Sequence, residues 1–155
     1  MKQSILGIGR KLILYTALYA GFATTLTALY PNFFLIRSEL NFSLRALGYV
    51  FLAFGIFFLI LSVRQVMREF QEGVLMKEGV FRYSRNPIYT AWGLFILPGL
   101  SLLTASWIFF GTPLIFYFVF KIYIREEEEF LENHFGEEYL EYKEKTGQLL
   151  PRFGR

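Results

Sequence analysis

The chain has 155 residues, 54% of them apolar and 20% aromatic, with a formal net charge of +3. That is richer than a soluble domain, where roughly 45–50% is apolar with Gly counted, and it excludes disordered, collagen-like and disulfide-stapled chains. With no Cys, no Asp and one histidine, His134, thiol nucleophiles, a Ser-His-Asp triad and His- or Cys-cluster metal sites are excluded, and Ser-His-Glu is the one triad formally left.

The charge-free runs read as membrane spans. Residues 12–36 carry no charge, and a hydrocarbon core of ~30 Å needs ~20 helical residues at ~1.5 Å each. This run is too long for the apolar part of a signal peptide and no small-residue cleavage site closes it, so it reads as a retained first span. Residues 46–63 form a second, flanked by Arg45 and Arg64, whose side chains can snorkel. Residues 86–120 are uncharged throughout. One helix of that length would reach ~52 Å, and Pro98, Gly99, Gly111 and Pro113 interrupt it. It therefore predicts a tight hairpin of two spans, 87–102 and 105–124, turning near Leu103–Ala105. The expected fold is all-α: about four transmembrane helices in one domain, 1–155.

Lys2, Arg10 and Lys11 precede the first span, and Arg64, Arg68, Lys77, Arg82 and Arg85 lie between the second and third. Only Arg37 and Arg45 against Glu39 lie in the opposite connection, and none in the 103–105 turn. The positive-inside rule puts both termini in the cytosol, and a multi-pass protein of a prokaryotic inner membrane is expected. Residues 1–124 carry net +7 and residues 125–155 net −4. The acidic end predicts a cytosolic helix over 125–146, stopped by Gly147. Its stripe of Phe130, Leu131, His134, Phe135, Tyr139 and Tyr142 should dock on the mouth of the bundle.

Two segments carry more chemistry than a passive span requires. In the first, residues 75–89, Arg82, Arg85, Ser84, Asn86 and two tyrosines surround Pro87. Pro suits the first turn of a helix, which makes Asn86 the N-cap. A helix N-terminus beside two guanidinium groups suits a carboxylate or phosphate. Interfacial lipid contacts and an ordinary cap explain the same residues equally well. The second segment, Arg125–Glu129, is either a solvated charge run opening a helix or a pair of inward carboxylates that accept hydrogen bonds from vicinal hydroxyls or pair with Arg82 or Arg85. Helical spacing places Glu127 and Glu128 on the face of Leu131, Phe135 and Tyr139, with Glu126 and Glu129 off it. Gly7-Ile8-Gly9 follows no strand and reads as backbone packing rather than a nucleotide turn. His134 reads as a partly exposed packing residue.

Together the segments resemble the isoprenylcysteine carboxyl methyltransferase and phospholipid methyltransferase superfamily of integral membrane enzymes. The first half of the pattern is Gly79, Phe81, Arg82, Arg85, Asn86, Pro87 and Tyr89; the second is Glu127, Glu128, Leu131, Phe135, Gly136, Tyr139, Tyr142 and Pro151. Asn86 stands where the isoprenylcysteine enzymes have His, and Ala91 where many have Gly. The resemblance implies methyl transfer from S-adenosylmethionine to a membrane-embedded or lipid-linked acceptor, isoprenylcysteine-like or, alternatively, a phospholipid amine, without metal or nucleic acid. It implies Arg82 and Arg85 as catalytic residues holding a carboxylate, and Asn86, Tyr89, Glu127, Glu128 and Tyr139 as cofactor contacts. A sterol-reductase-like enzyme needs more spans. A transporter needs ionisable residues at mid-span. A non-enzymatic membrane subunit is the reading of a different class.

Overall fold

A computed structural model describes residues 7–36, 39–69 and 74–152. Lys2 and Arg37, used above to orient the bundle, lie outside them. Among the described residues, four helices are long and apolar enough to cross a membrane. Helix α1 is Gly7–Leu29, α2 Leu40–Glu69, α3 Pro87–Thr104 and α4 Gly111–Phe135; a fifth helix, α5, is Glu137–Lys145. Their outer faces are apolar and exposed, as at Phe42 (82%) and Ile13 (71%), the inverse of a soluble surface and the signature of contact with lipid.

Several boundaries differ from expectation. The first span stops at Leu29, because Pro31 starts a new helical turn, Pro31–Phe34, and Leu35 then bridges to Ser106. The second runs beyond 46–63 at both ends, since Arg45, Arg64 and Arg68 are good helix formers that continue it into the interfaces. In α3, Ala91–Ile96 winds as a π-helix just ahead of Pro98. Pro98 has no N–H for the preceding turn, and a wider turn takes up the mismatch. The turn after α3 falls as expected, with Ala105 left-handed at φ 48°.

The largest correction concerns the acidic end. No boundary falls at Arg125: α4 runs unbroken through the Glu run to Phe135 and ends at Gly136, at φ 55°. Glu is a good helix former, so a charge run that leaves the membrane need not end the helix. Only the short α5 folds back.

Helix α1 packs along α4 and α2 along α3, while α3 and α4 meet far less despite their short connection. Close approach of α2 and α3 depends on glycine. A Cβ on Gly48 would stand 2.9 Å from the Gly99 carbonyl oxygen and 3.0 Å from Leu103. Gly48→Ala should therefore lower stability by about 1–3 kcal/mol, the usual cost of overpacking, read as an unfolding midpoint in detergent. On the other side, Ile8 and Leu12 of α1 pack with Phe116, Phe120 and Ile124 of α4 and with Leu149.

Docking of the C-terminal helix is observed, with a narrower stripe. Tyr139 and Tyr142 are buried against Phe81, with Leu131 and Phe135 partly buried beside them, and the Tyr142 hydroxyl donates to the Phe81 carbonyl at 2.6 Å. Phe130 and His134 are exposed and stack on each other instead, because the break at Gly136 turns α5 out of the register of α4.

Candidate active site

Poor contact between α3 and α4 leaves a cavity of about 1030 Å³ walled by α1, α3 and α4. Arg85, Asn86, Tyr89 and Glu127 line one end; Leu103, Thr104 and Phe109 line the other. The walls between are apolar and include lipid-exposed Ile13, Trp92 and Leu100, so the cavity meets the lipid-facing surface between α1 and α3. Small-molecule sites span ~300–1,000 Å³, so this one has room for a soluble molecule and a lipid chain together.

The charged end is built by three segments. The 3₁₀ turn Gly79–Arg82 buries Phe81 and leaves Arg82 exposed, outside the cavity lining. Three residues on, the Arg85 backbone N–H donates to the Gly147 carbonyl at 2.9 Å, and its side chain turns inward. Arg85 Nη2 lies 3.1 Å from Glu128 Oε1. The same oxygen accepts from Gln148 Nε2 at 2.8 Å, and Lys143 Nζ is 3.4 Å from Oε2. Glu128 is only 7% exposed, and its two oxygens are engaged by three partners. A buried ion pair of this kind keeps its charges only when they are hydrogen-bonded as well. Lys143, at the outer edge, also bonds Glu132; that bond first, and the Glu128 and Glu132 charges, raise its pKa against the opposing pull of burial. It stays an ammonium.

Glu127 is held differently. It lines the cavity, accepts from the Tyr89 hydroxyl at 3.2 Å and faces the backbone N–H of Ile8. Glu126 and Glu129 are exposed, paired with Lys11 and Arg125 at the surface. The expected division of the four carboxylates thus holds in burial, and the two inward ones separate into a cavity-facing Glu127 and an ion-paired Glu128. Asn86 occupies the N-cap position but does not cap; its amide donates to the Gln148 carbonyl at 3.2 Å. Tyr139 lies outside the cavity lining, behind Arg85. Burial, with Glu128 adding and Arg85 opposing, pushes its phenol up to about 12, so it remains a neutral packing residue at physiological pH.

Sequence reasoning missed the strap that closes the site. Residues 147–149 return across the start of α3. Ser84 Oγ donates to Gln148 O at 2.9 Å, Thr90 Oγ1 lies 3.0 Å from Leu149 O, and the two hydroxyls are 2.8 Å apart. Lys121 donates to Gln148 Oε1 at 2.7 Å. Pro151, the closing residue of the pattern, was the only signal of this return. Arg82, in contrast, is not brought to the site.

A likeness in sequence decides the family. The sequence pattern of the family described as phospholipid methyltransferase matches residues 33–138, about two thirds of the chain. The chain belongs to the phospholipid methyltransferase family. Comparison with curated proteins and with solved structures gives no match. The span shared with the family contains both chemical segments and the α3–α4 hairpin. Helix α1, which lines the cavity, and the strap at 147–149, which bonds Glu128 and Asn86, lie outside it. The membership makes this a lipid methyltransferase at family level.

Proposed function

We propose that the chain transfers a methyl group from S-adenosylmethionine to a lipid acceptor at the Arg85–Glu127 end of the cavity, on the cytosolic side, with both termini there too. The observation that carries the reading is one cavity whose charged end joins an apolar, lipid-facing length. The residues fit the cofactor. Arg85 Nε and Nη1 are buried with no hydrogen-bond partner among the described residues, and unpaired buried donors are costly; a carboxylate answers them. Glu127 offers an acceptor to ribose hydroxyls, and Asn86 and Tyr89 flank it.

When bound, the cofactor supplies a sulfonium methyl that is already electrophilic. The chain's own part is then to hold donor and acceptor in line. Arg85, itself fixed by the Glu128 carboxylate and the Gly147 carbonyl, orients an anionic group. Tyr89 fixes the Glu127 carboxylate. Apolar walls exclude water from the acceptor's path. A phospholipid amine is the acceptor class closest to the matched family, and an isoprenylcysteine carboxylate is the other. Arg82 has no part in this arrangement.

Titration of the detergent-purified protein with S-adenosylmethionine should give saturable heat, with S-adenosylhomocysteine competing. No heat at millimolar cofactor with folded protein would overturn the reading. Labelled methyl appearing in no lipid of a membrane extract, despite binding, would confine the protein to a non-enzymatic role.

A further inference from the structure

Phe57, Leu61, Arg64 and Arg68 of α2 follow one another at helical spacing and share a face. All four are exposed. The uncharged run ends at Val63, so this face changes from apolar to cationic where hydrocarbon gives way to headgroups. At that level a second cavity, of about 280 Å³, lies between α2 and the 3₁₀ turn Gly79–Arg82. Leu61, Arg64, Gln65 and Arg68 line it from α2, and Glu78 and Gly79 from the turn. Among the described residues, none of α2 lines the larger cavity, so the two are separate.

Gln65 fastens the wall opposite the arginines. Its Nε2 donates to the Glu78 carbonyl at 2.9 Å, and its Oε1 accepts from the Val80 backbone N–H at 3.0 Å. Gly79 sits at φ 56°, and a Cβ there would collide with Gln65 Oε1. Only glycine brings the turn this close. The groove is thus kept in shape by backbone bonds, with two guanidinium groups one turn apart on one side. Glu78 selects the anion. Its carboxylate opposes a doubly charged phosphate monoester more than a singly charged phosphodiester, and it can accept from headgroup hydroxyls. Small-molecule sites span ~300–1,000 Å³, so this groove has room for a headgroup but not for its chains.

We propose that this groove binds the headgroup of an anionic phosphodiester lipid of the phosphatidylglycerol kind. The phosphate pairs with Arg64 and Arg68, the glycerol hydroxyls donate to Glu78, and the acyl chains lie along Leu61 and Phe57. This lipid is a bound ligand and not a methyl acceptor, and the site stands apart from the methyl-transfer reading. Its position gives it something to act on. The turn is a wall common to both cavities, with Glu78 and Gly79 on the groove and Phe81 on the cavity of Arg85. A headgroup in the groove braces that wall from behind.

The test is native mass spectrometry of the full chain in detergent, with lipids of identical acyl chains. The wild type should retain phosphatidylglycerol about tenfold or more over diacylglycerol, which lacks the phosphate, since an interfacial arginine is worth about fivefold against an anionic lipid. Arg64→Gln should cut that preference about fivefold. Arg64→Lys should keep most of it, because a point charge still pairs with a phosphate. Arg45→Gln, which removes the same charge at the other end of α2, should leave it unchanged. Phosphatidate, a monoester, should bind no better than phosphatidylglycerol, and Glu78→Gln should raise it relative to phosphatidylglycerol. Millimolar inorganic phosphate should not displace the lipid. Equal retention of phosphatidylglycerol and diacylglycerol by the wild type would overturn the inference and leave only non-specific annular contact. So would a preference that survives Arg64→Gln combined with Arg68→Gln. Displacement by inorganic phosphate would overturn it too, by assigning the groove to a soluble anion. S-adenosylmethionine enters none of these measurements, so their failure leaves the enzymatic reading where it stands.

Discussion

Glu128→Gln should cost about 3–5 kcal/mol of stability, the penalty for removing one partner of a buried ion pair. The carboxylate is shared by Arg85, Gln148 and Lys143. An amide in its place still accepts one bond, but leaves the Arg85 guanidinium buried without a counter-charge. Two of its nitrogens already have no partner. The loss should also loosen the strap, since Gln148 ties Glu128 to the start of α3. Chemical unfolding in detergent is the measurement. An unchanged midpoint would mean that water reaches the pair and screens it.

Glu127→Gln should behave in the opposite way. Its partners are the Tyr89 hydroxyl and the Ile8 backbone N–H, beside the cavity, and a Gln oxygen can still accept from both. Stability should change by less than about 0.5 kcal/mol, as for substitutions away from packed or paired positions. Cofactor affinity should fall about tenfold or more, because a hydrogen bond to a charged group is worth about 1.5–3 kcal/mol. Glu126→Gln and Glu129→Gln, at the surface pairs with Lys11 and Arg125, should alter neither quantity measurably. Unfolding and calorimetry on all four variants separate the roles: one carboxylate for holding the site together, one for what enters it. Equal small effects at all four would reduce the run to a charged surface.

The amino-acid sequence reveals the spans and the turn at Ala105, because lipid permits only long uncharged helices and loops need breakers. It also reveals that Glu127 and Glu128 face inward, because helical spacing survives into three dimensions. It does not reveal that both belong to the same helix as the fourth span. A charge run looks like the edge of the membrane, while its helix propensity continues the rod. Nor does it separate Arg82 from Arg85. Both stand beside the same helix start, and only the 3₁₀ turn at Gly79–Arg82 and the backbone bond from Arg85 to Gly147 turn one out and the other in. Tyr139 joins the cluster of Leu131 and Phe135, as its spacing expects, but from α5, beyond the break at Gly136, and outside the cavity lining.

Because α4 is one rod, the height of the carboxylates is measured from the opposite face of the membrane. From Thr112 to Glu127 the rise is about 22 Å at ~1.5 Å per residue, with no hinge between them. A bilayer that thickens or thins cannot stretch this gauge; the helix answers by tilting, at a modest cost per ångström of mismatch. Tilt moves the Glu127 level relative to the headgroup plane of the near leaflet. The protein is thereby a ruler as well as a vessel: which lipids present their headgroups at the right height depends on the thickness of the membrane in which it sits.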